Sequence, residues 1–391
     1  MTDPHPPRPG RSAFHLAVAI DGHGQHPAAW RAVPDPDPTG LFDGTIALRH
    51  ALVAEAGDLS FVTLDDALSL QDGGPANVRG RVDALLTMAK LGPLTSTIGL
   101  VPTITTTHTE PFHVSKNVAT LDWVSGGRSG WRVAVSTSTQ EAGHFGRTSP
   151  APLASLHGEA ADAVEAVRRL WDSWEDDAII RDQPTGRFID RDKVHYIDFE
   201  GEHFSVRGPS IVPRSPQGQP LVVVDTADGA APSATMLAAV AADIVFIDAA
   251  DPAAAAARRL AVLDAVAAAG RDPDDVTVMV HLDVVVAATS AAAADRLARL
   301  DAMADWAEPA HRARVVGDVD RLVAALHEWA AVVDGVHLRP AVLQADLTTI
   351  VERAVPALRA AGLVRPAAPG ATLRDRFALP RPVSRYAGIG N

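Results

Sequence analysis

Short apolar segments alternate with helix-like segments along most of the 391-residue chain. The apolar segments have the length of buried strands, and apolar residues recur at helical spacing in the stretches between them. The predicted strands are residues 14–20, 59–64, 98–102, 131–136, 220–224, 243–248, 276–286 and 335–338. The predicted helices are residues 45–57, 82–91, 113–121, 160–174, 236–242, 253–269, 291–307 and 321–333. This alternation predicts a parallel sheet whose strands are joined by helical crossovers.

The number of predicted strands favours a closed barrel over an open sheet. Eight strands are what an α/β barrel requires. The alternative is an open doubly wound sheet, which usually carries a glycine-rich phosphate loop directly after its first strand. Here residues 21–27 read DGHGQHP, which is a different pattern and opens no helix. We therefore predict a TIM (β/α)8 barrel with insertions.

The barrel is expected to be a single domain over residues 13–391. Residues 1–12 are rich in proline and polar side chains, and we expect them to be extended or disordered. Residues 175–219 form a long polar stretch without a clear period, which is typical of an insertion or lid rather than an ordinary connection. Residues 340–391 follow the last predicted strand and are expected to form a C-terminal extension.

Composition and charge exclude several classes of partner. The formal net charge is −13, and the chain has no lysine- or arginine-rich block, which argues against nucleic acid and against an anionic membrane surface. It has no cysteine, so disulfides and thiolate metal sites are excluded. The N-terminus lacks the apolar core of a signal peptide, and no charge-free stretch is long enough to span a membrane. We expect a soluble, cytoplasmic protein.

Several long motifs identify a family. The most specific covers residues 170–220 and begins LWDSWEDDAIIRDQPTGRFIDRDKVHYIDFEGEHFSVRGPS; a second, at 109–131, reads TEPFHVSKNVATLDWVSGGRSGW. Shorter stretches are HPAAWR at 26–31, AEAGDLSFVTLDDAL at 54–68, VPALRAAGLVR at 355–365 and ATLRD at 371–375. Together they resemble the luciferase-like flavin-dependent monooxygenases, in the branch of the nitrilotriacetate and dibenzothiophene-sulfone monooxygenases.

The resemblance implies a fold, a cofactor and partners. Members of this branch are similar α/β barrels that use dioxygen and reduced FMN, delivered by a separate flavin reductase, to oxygenate small organic substrates. A homodimer is also implied. Because the flavin carries the chemistry and the protein orients it, neither a nucleophile triad nor a metal cluster is expected.

Three predicted flavin contacts lie where strands end. Asp66 follows the second predicted strand, where the family places an aspartate near the flavin ring. An alternative role is the N-cap of the next helix. Thr103 and Thr105 follow the third strand, and strand alternation places them on one face. Their alternative explanation is the ordinary preference of threonine for strands.

Two further predicted contacts depart from the family pattern. The family reads W-N-V-V-T-S where this chain has Trp131 to Ser136, so Arg132 replaces an asparagine and Ser136 is kept. Arg132 could bind a flavin carbonyl or an anion, or point outward in a surface ion pair. His157 stands near the position of a family tyrosine that meets the FMN phosphate, and its alternative role is that of a solvent-facing histidine near a helix start.

The largest departure follows the fifth predicted strand. The family reads Q-A-G-x-S there and binds the phosphate at a helix N-terminus, whereas this chain reads VDTADGAAPSA over residues 224–234. We expect Asp225 and Asp228 to repel a phosphate, and Gly229 and Ser233 to rebuild the binding loop in a shifted register.

The remaining candidates concern metals and alternative functions. DSWEDDA at 172–178 resembles a carboxylate metal site, but helical spacing favours a capped, solvated helix end, so we predict no metal. The favoured function is an FMNH2-dependent monooxygenase. One alternative is an oxidoreductase of the same superfamily that uses F420, and another is a barrel that has lost flavin and acts as a non-catalytic binding subunit.

Overall fold

The computed structural model describes residues 14–33, 39–71, 78–226, 231–306 and 311–388. The strands are β1 His15–Ala19, β2 Phe61–Leu64, β3 Gly99–Thr105, β4 Gly130–Ala134, β5 Ile179–Asp182, β6 Arg187–Ile189, β7 Phe199–Glu200, β8 Ser205–Val206, β9 Leu221–Asp225, β10 Ile244–Ile247, β11 Thr277–Val286, β12 Ala313–Gly317 and β13 Gly335–Pro340. The helices are α1 Thr45–Ala56, α2 Ala84–Leu91, α3 Pro111–Ser125, α4 Thr139–His144, α5 Leu153–Asp172, α6 Pro232–Ala241, α7 Pro252–Ala268, α8 Ser290–Asp301, α9 Val319–Ala330, α10 Leu343–Thr349, α11 Val355–Ala360 and α12 Leu373–Arg376. Short 3-10 turns lie at Ala29–Ala32, Gly92–Leu94, Arg191–Lys193 and Pro273–Asp275, and a π-helical turn lies at Ile350–Ala354.

Eight parallel strands close into a barrel. The ring runs β1, β2, β3, β4, β9, β10, β11 and β13, and β13 pairs with β1 to complete it. A ninth strand, β12, pairs with the carboxyl half of β11, whose amino half pairs with β10. The predicted TIM barrel is confirmed, and each predicted strand overlaps one strand of the ring. Strand β12 and helix α4 were not predicted, and the predicted start of α5, at residue 160, lies seven residues after its actual start at residue 153.

Alternate residues along each strand form two separate cores. One set points outward and packs against the helices, as Leu100, Val222 and Val245 do. The other set fills the barrel interior and includes Val101, Val223 and Phe246. Because every strand is covered on both faces, its sequence reads as a nearly continuous apolar run. Polar residues in the interior therefore stand out and mark the site described below.

The C-terminal segment closes the amino-terminal end of the barrel. After β13, helices α10 and α11 complete the last β/α unit, and the chain then crosses to the opposite end. There Leu373, Phe377 and Leu379 join the interior core, with the Phe377 ring stacked on His15 at 4.1 Å between centroids. The expected extension over 340–391 is thus partly a barrel helix and partly a plug.

The expected insertion over 175–219 connects α5 to β9, so it starts and ends at the amino-terminal face of the barrel. It contains two antiparallel hairpins, β5–β6 and β7–β8. The second hairpin runs up the side of α5, where His203 pairs with Asp162 and lies against Gly158. The tip of the hairpin thereby reaches the opposite, carboxyl-terminal rim, where Phe204 and His203 line a cleft with residues of the β3 loop.

The DSWEDDA motif anchors this insertion. Asp172 and Arg214 are both about 1% exposed and form an ion pair at 3.0 Å, and Arg214 and Arg381 both bind Asp176. The Arg381 hydrogen bond lowers the pKa of the Asp176 carboxyl to about 2. The expectation of a solvated helix end is therefore wrong for Asp172, because folding buries its carboxylate against a guanidinium. Among the described helices, none is long and apolar enough to cross a membrane.

Candidate active site

Three of the predicted flavin contacts meet at the carboxyl-terminal end of the barrel. Asp66, Thr103 and Thr105 line one cleft with a cavity volume of about 370 Å³ between the β2 loop and helix α3. Thr103 is 2% exposed, and its hydroxyl has no hydrogen-bond partner among the described residues. An unpaired buried hydroxyl is costly, so this oxygen is a candidate for contact with a bound polar group. The cleft also exposes His113 and Asn117 of α3, which the sequence reading did not select.

Asp66 already has a structural role at this cleft. Its two carboxylate oxygens accept the backbone amides of Ala67 and Ala84, each at 2.8 Å, which ties the β2 loop to the start of α2. Burial raises the pKa of its carboxyl. This geometry is close to the capping role given above as the alternative, and a flavin contact would have to share these oxygens.

Arg132 points into the barrel, so the alternative of an outward surface pair is wrong. Its neighbours Trp131 and Val133 pack against the helices, which by alternation turns Arg132 inward beside Thr103, its partner in register. Its guanidinium donates to Asp225 at 2.7 Å, with the two side chains 16% and 20% exposed. The expectation that Asp225 would repel a phosphate is corrected, because Arg132 neutralises this carboxylate inside the barrel. Asp228 lies outside the described residues.

Ser136 links two loops of the mouth. Its hydroxyl donates to Glu141 of α4, and its backbone amide donates to the Thr107 hydroxyl at 3.1 Å. Glu141 is 6% exposed and also accepts the Leu68 amide and the Ser69 hydroxyl from the β2 loop. The sequence reading missed Glu141, since α4 was not predicted. A ligand that reaches Ser136 would meet a hydroxyl oxygen already oriented by this carboxylate.

His157 and Ser233, predicted separately as phosphate contacts, are brought together by the fold. His157 lies in α5, Ser233 lies in the first turn of α6, and the His157 Nδ1 and Ser233 Oγ atoms are 2.8 Å apart. Burial lowers the pKa of His157, so its imidazole is neutral near pH 7. Helix N-termini favour anions because their amides are unpaired. Gly229 lies outside the described residues and stays a prediction.

A polar layer beneath the mouth was not recognised in the sequence. His281 of β11 and His337 of β13 pair in register and are no more than about 1% exposed. Their Nδ1 atoms are 2.8 Å apart, while His281 Nε2 contacts Asp225 and His337 Nε2 contacts the Thr63 hydroxyl. The signal was available, because the tripeptide VHL occurs in two apolar strand segments, at 280–282 and 336–338.

A second, smaller cleft with a cavity volume of about 170 Å³ opens beside the first, over the ends of β1 and β2. Apolar side chains such as Leu41, Phe42 and Leu64 make up much of its wall, and Asp21 and Asp65 lie at its polar end. The Asp65 amide donates to Asp21, and Arg81 and Arg132 each come within 3.6 Å of Asp65. Burial, and then the charge of Asp65, raise the pKa of the Asp21 carboxyl. Apolar walls with a few polar groups are typical of small-molecule sites.

Metal ligands are not clustered in the part of the chain that the structure describes. No group of three or more histidine, aspartate or glutamate side chains there is arranged to hold an ion. The carboxylates of the mouth instead face arginines or backbone amides, as Asp225 and Asp66 do.

Comparisons with known proteins agree with this architecture. The model of the family described as luciferase-like monooxygenase matches residues 26–346. The chain is 31% identical to the N-acetyl-S-(2-succino)cysteine monooxygenase of Bacillus subtilis, across 96% of this chain and 99% of that protein. It is 32% identical to nitrilotriacetate monooxygenase component A of Aminobacter aminovorans, across 71% of this chain and 63% of that protein.

A solved structure with a similar fold contains flavins. The crystal structure of riboflavin lyase with modified FMN and its substrate riboflavin superimposes with a TM-score of 0.83 at 25% identity, covering 96% of this chain and 98% of the lyase. The family match over most of the chain, the similar monooxygenases and the closed barrel agree. The protein belongs to the luciferase-like monooxygenase family and is a flavin-dependent oxidoreductase.

Proposed function

We propose that the protein is an FMNH2-dependent monooxygenase that uses dioxygen to oxygenate a small organic substrate. A separate flavin reductase supplies the reduced flavin, and the protein acts as a cytoplasmic homodimer. Bound reduced FMN would supply the electrons that activate dioxygen, while the protein binds, orients and shields it. The rest of the proposal concerns what the residues of this chain contribute.

The observation that carries the proposal is the buried pair of Thr103 and Arg132. The two residues are partners in register on adjacent strands, and the Thr103 hydroxyl lacks a protein partner among the described residues. Beside it, Arg132 offers a fixed cation, held on one side by Asp225. A hydroxyl and a guanidinium that face the barrel interior side by side suit a planar ligand that presents carbonyl oxygens and carries negative charge.

The phosphate of FMN is assigned to the start of α6. In the tautomer that carries its proton on Nε2, His157 accepts the Ser233 hydroxyl at Nδ1, and its Nε2–H remains available to a phosphate oxygen. The backbone amide of Ser233 adds one further donor, since Pro232 has no N–H and the amides of Ala234 and Thr235 already donate to the Ala231 carbonyl. A phosphate bound there would not face Asp225, because that carboxylate is engaged by Arg132 inside the barrel.

The substrate is assigned to the two clefts at the mouth. The larger cleft has a cavity volume of about 370 Å³, which suits a small organic molecule, and the adjoining cleft adds about 170 Å³; both have mostly apolar walls. Asp66 and Thr105 lie on the wall of the larger cleft, where they would border both flavin and substrate. The Ser136–Glu141 pair holds the neighbouring loops in place.

The direct test is anaerobic titration of the purified protein with reduced FMN, followed by flavin absorbance and fluorescence, with oxidised FMN and F420 in parallel. We expect reduced FMN to bind most tightly. Oxygen consumption with a flavin reductase then reports on turnover. Absence of binding to either form of FMN at high micromolar concentration contradicts the proposal, and selective binding of F420 supports the alternative cofactor.

Thr103→Val separates cofactor binding from packing. Valine matches the shape of threonine but lacks the hydroxyl, so we expect the Kd for reduced FMN to rise about fivefold, the value of one hydrogen bond. Because the hydroxyl has no partner without ligand, the stability of the cofactor-free protein should stay equal or rise. The control is Thr120→Val on the exposed face of α3, which should leave the Kd unchanged.

A further inference from the structure

Two buried histidines lie directly under the proposed flavin site. His281 and His337 occupy matching positions on β11 and β13, and the ring of Phe246 stacks on His337 with 4.6 Å between centroids. Neither histidine can reach solvent, since they are about 1% and 0% exposed. Each ring has a partner at both of its nitrogens. Such full hydrogen bonding leaves each ring one orientation.

With both imidazoles neutral, the four groups Asp225, His281, His337 and Thr63 form a hydrogen-bonded chain with only one consistent placement of protons. Asp225 accepts, so His281 carries its proton on Nε2 and presents a bare Nδ1. His337 must then donate from Nδ1, which leaves its Nε2 to accept the Thr63 hydroxyl. Burial lowers the pKa of both imidazoles, which favours the neutral form of both rings. The hydrogen-bond partners then set the tautomer of each ring.

The hydrogen-bonded chain ends at the Asp225 carboxylate, which also binds Arg132. The Oδ2 atom of Asp225 accepts Arg132 at 2.7 Å from β4 and His281 at 3.0 Å from β11, so strands on opposite sides of the carboxylate fix its position. We propose that His281 and His337 are positioning residues, which hold Asp225 and through it the guanidinium of Arg132 against the reduced flavin. This inference rests on the proposed function.

The alternative is that the layer only stabilises the barrel. Buried ion pairs and polar chains are weak sources of stability, because desolvation offsets most of the attraction. The neighbouring interior layer contains Val223, Phe246 and Met279 and shows that apolar packing suffices at this depth. A hydrogen-bonded chain that orients the Arg132 guanidinium toward the carboxyl-terminal end of the barrel accounts for the polar residues at Asp225, His281 and His337.

The proton placement is testable without any cofactor. Imidazole 15N NMR of the labelled protein should show His281 as the Nε2–H tautomer and His337 as the Nδ1–H tautomer, with neither titrating between pH 6 and 8. Loss of one signal set in His281→Gln and of the other in His337→Gln assigns the resonances. The opposite tautomers, or titration of either ring in this range, would overturn the inference whether or not flavin binds.

The positioning role is tested by flavin affinity. His281→Leu removes the donor to Asp225 and should raise the Kd for reduced FMN about tenfold, as expected for a hydrogen bond to a charged group. His281→Gln keeps an amide donor near the Nε2 position and should restore affinity to within about threefold. His327→Gln, at an exposed site on α9, is the control and should match the native protein.

The outcomes separate this inference from the proposed function. If the native protein binds reduced FMN and His281→Leu binds it equally well, the histidines are not positioning residues and the proposed function stands. If the native protein binds no flavin, the proposed function fails, and the role of Arg132 fails with it. The NMR measurement still tests whether the hydrogen-bonded chain has the expected proton placement. It uses the native protein, so it remains decisive if the leucine variant does not fold.

Discussion

The Arg132–Asp225 ion pair offers the sharpest test of how the barrel interior is held. The guanidinium and carboxylate are in contact at 2.7 Å, and both side chains are at least four-fifths buried. With charge centres about 4 Å apart and an effective dielectric constant of about 20, their attraction is about 4 kcal/mol. Removing one partner of a buried pair costs about 3–5 kcal/mol, because the other charge is left without compensation.

A double-mutant cycle measures this coupling. We expect Arg132→Met to cost about 3–5 kcal/mol of unfolding free energy. Asp225→Asn should cost less, because Asp65 remains 3.6 Å from Arg132 and can take up part of the charge. The double variant leaves no unpaired charge from this pair, so its loss should fall below the sum of the single losses by about 2–3 kcal/mol.

The assay is urea unfolding followed by tryptophan fluorescence and by far-UV circular dichroism, and coincident curves justify a free-energy cycle in a barrel of this size. The exposed pair Arg187–Asp190 on the insertion serves as the control and should couple by less than about 1 kcal/mol. Additive losses at Arg132 and Asp225, within about 0.5 kcal/mol, would refute the reasoning.

Three further predictions concern stability. Burial lowers the pKa of His50 to about 4 from 6.5, so the unfolded state binds a proton at higher pH than the folded state does. The free energy of unfolding should therefore fall by up to about 3 kcal/mol as the pH drops from about 7 to 4. His50→Leu should flatten this pH dependence in thermal melts, and an unchanged slope would contradict the reasoning. Phe377→Ala, in the barrel plug, should cost about 3–5 kcal/mol in urea unfolding, and a loss below about 1 kcal/mol would show that the plug is dispensable. Gly24→Ala should strongly lower the melting temperature, because a Cβ would lie 2.3 Å from the Ala341 carbonyl oxygen and the Gly24 φ is +133°. Gly143→Ala is the control, since its Cβ would meet open space, and equal effects of the two substitutions would count against the argument.

The candidate site was predictable in part, and the reason is geometric. Parallel strands in a barrel end at one face, so residues such as Asp66, Thr103 and Thr105 could be placed together from strand order alone. The meeting of His157 and Ser233 depends on how α5 packs against α6, and no sequence spacing predicts it. Glu141 was missed because its helix α4 is short and carries no long apolar period.

The amino-acid sequence by itself determined the barrel. The eight apolar segments and the helices between them follow from local periodicity, and strands buried on both faces leave a strong signal. The irregular parts carried no such signal: β12 lies at the edge of β11, and the insertion is ordered by ion pairs that join residues far apart in sequence, as Arg214 and Asp172 are.

Only the tertiary structure decided what the unusual residues do. In sequence, Arg132 and Asp225 are separate departures from a flavin-binding pattern, one a misplaced cation and the other a phosphate-repelling anion. Barrel closure brings them within 2.7 Å of each other and adds His281 to the same carboxylate oxygen. The physical reason is that charge compensation depends on distance through space, and these residues lie 93 and 56 positions apart along the chain.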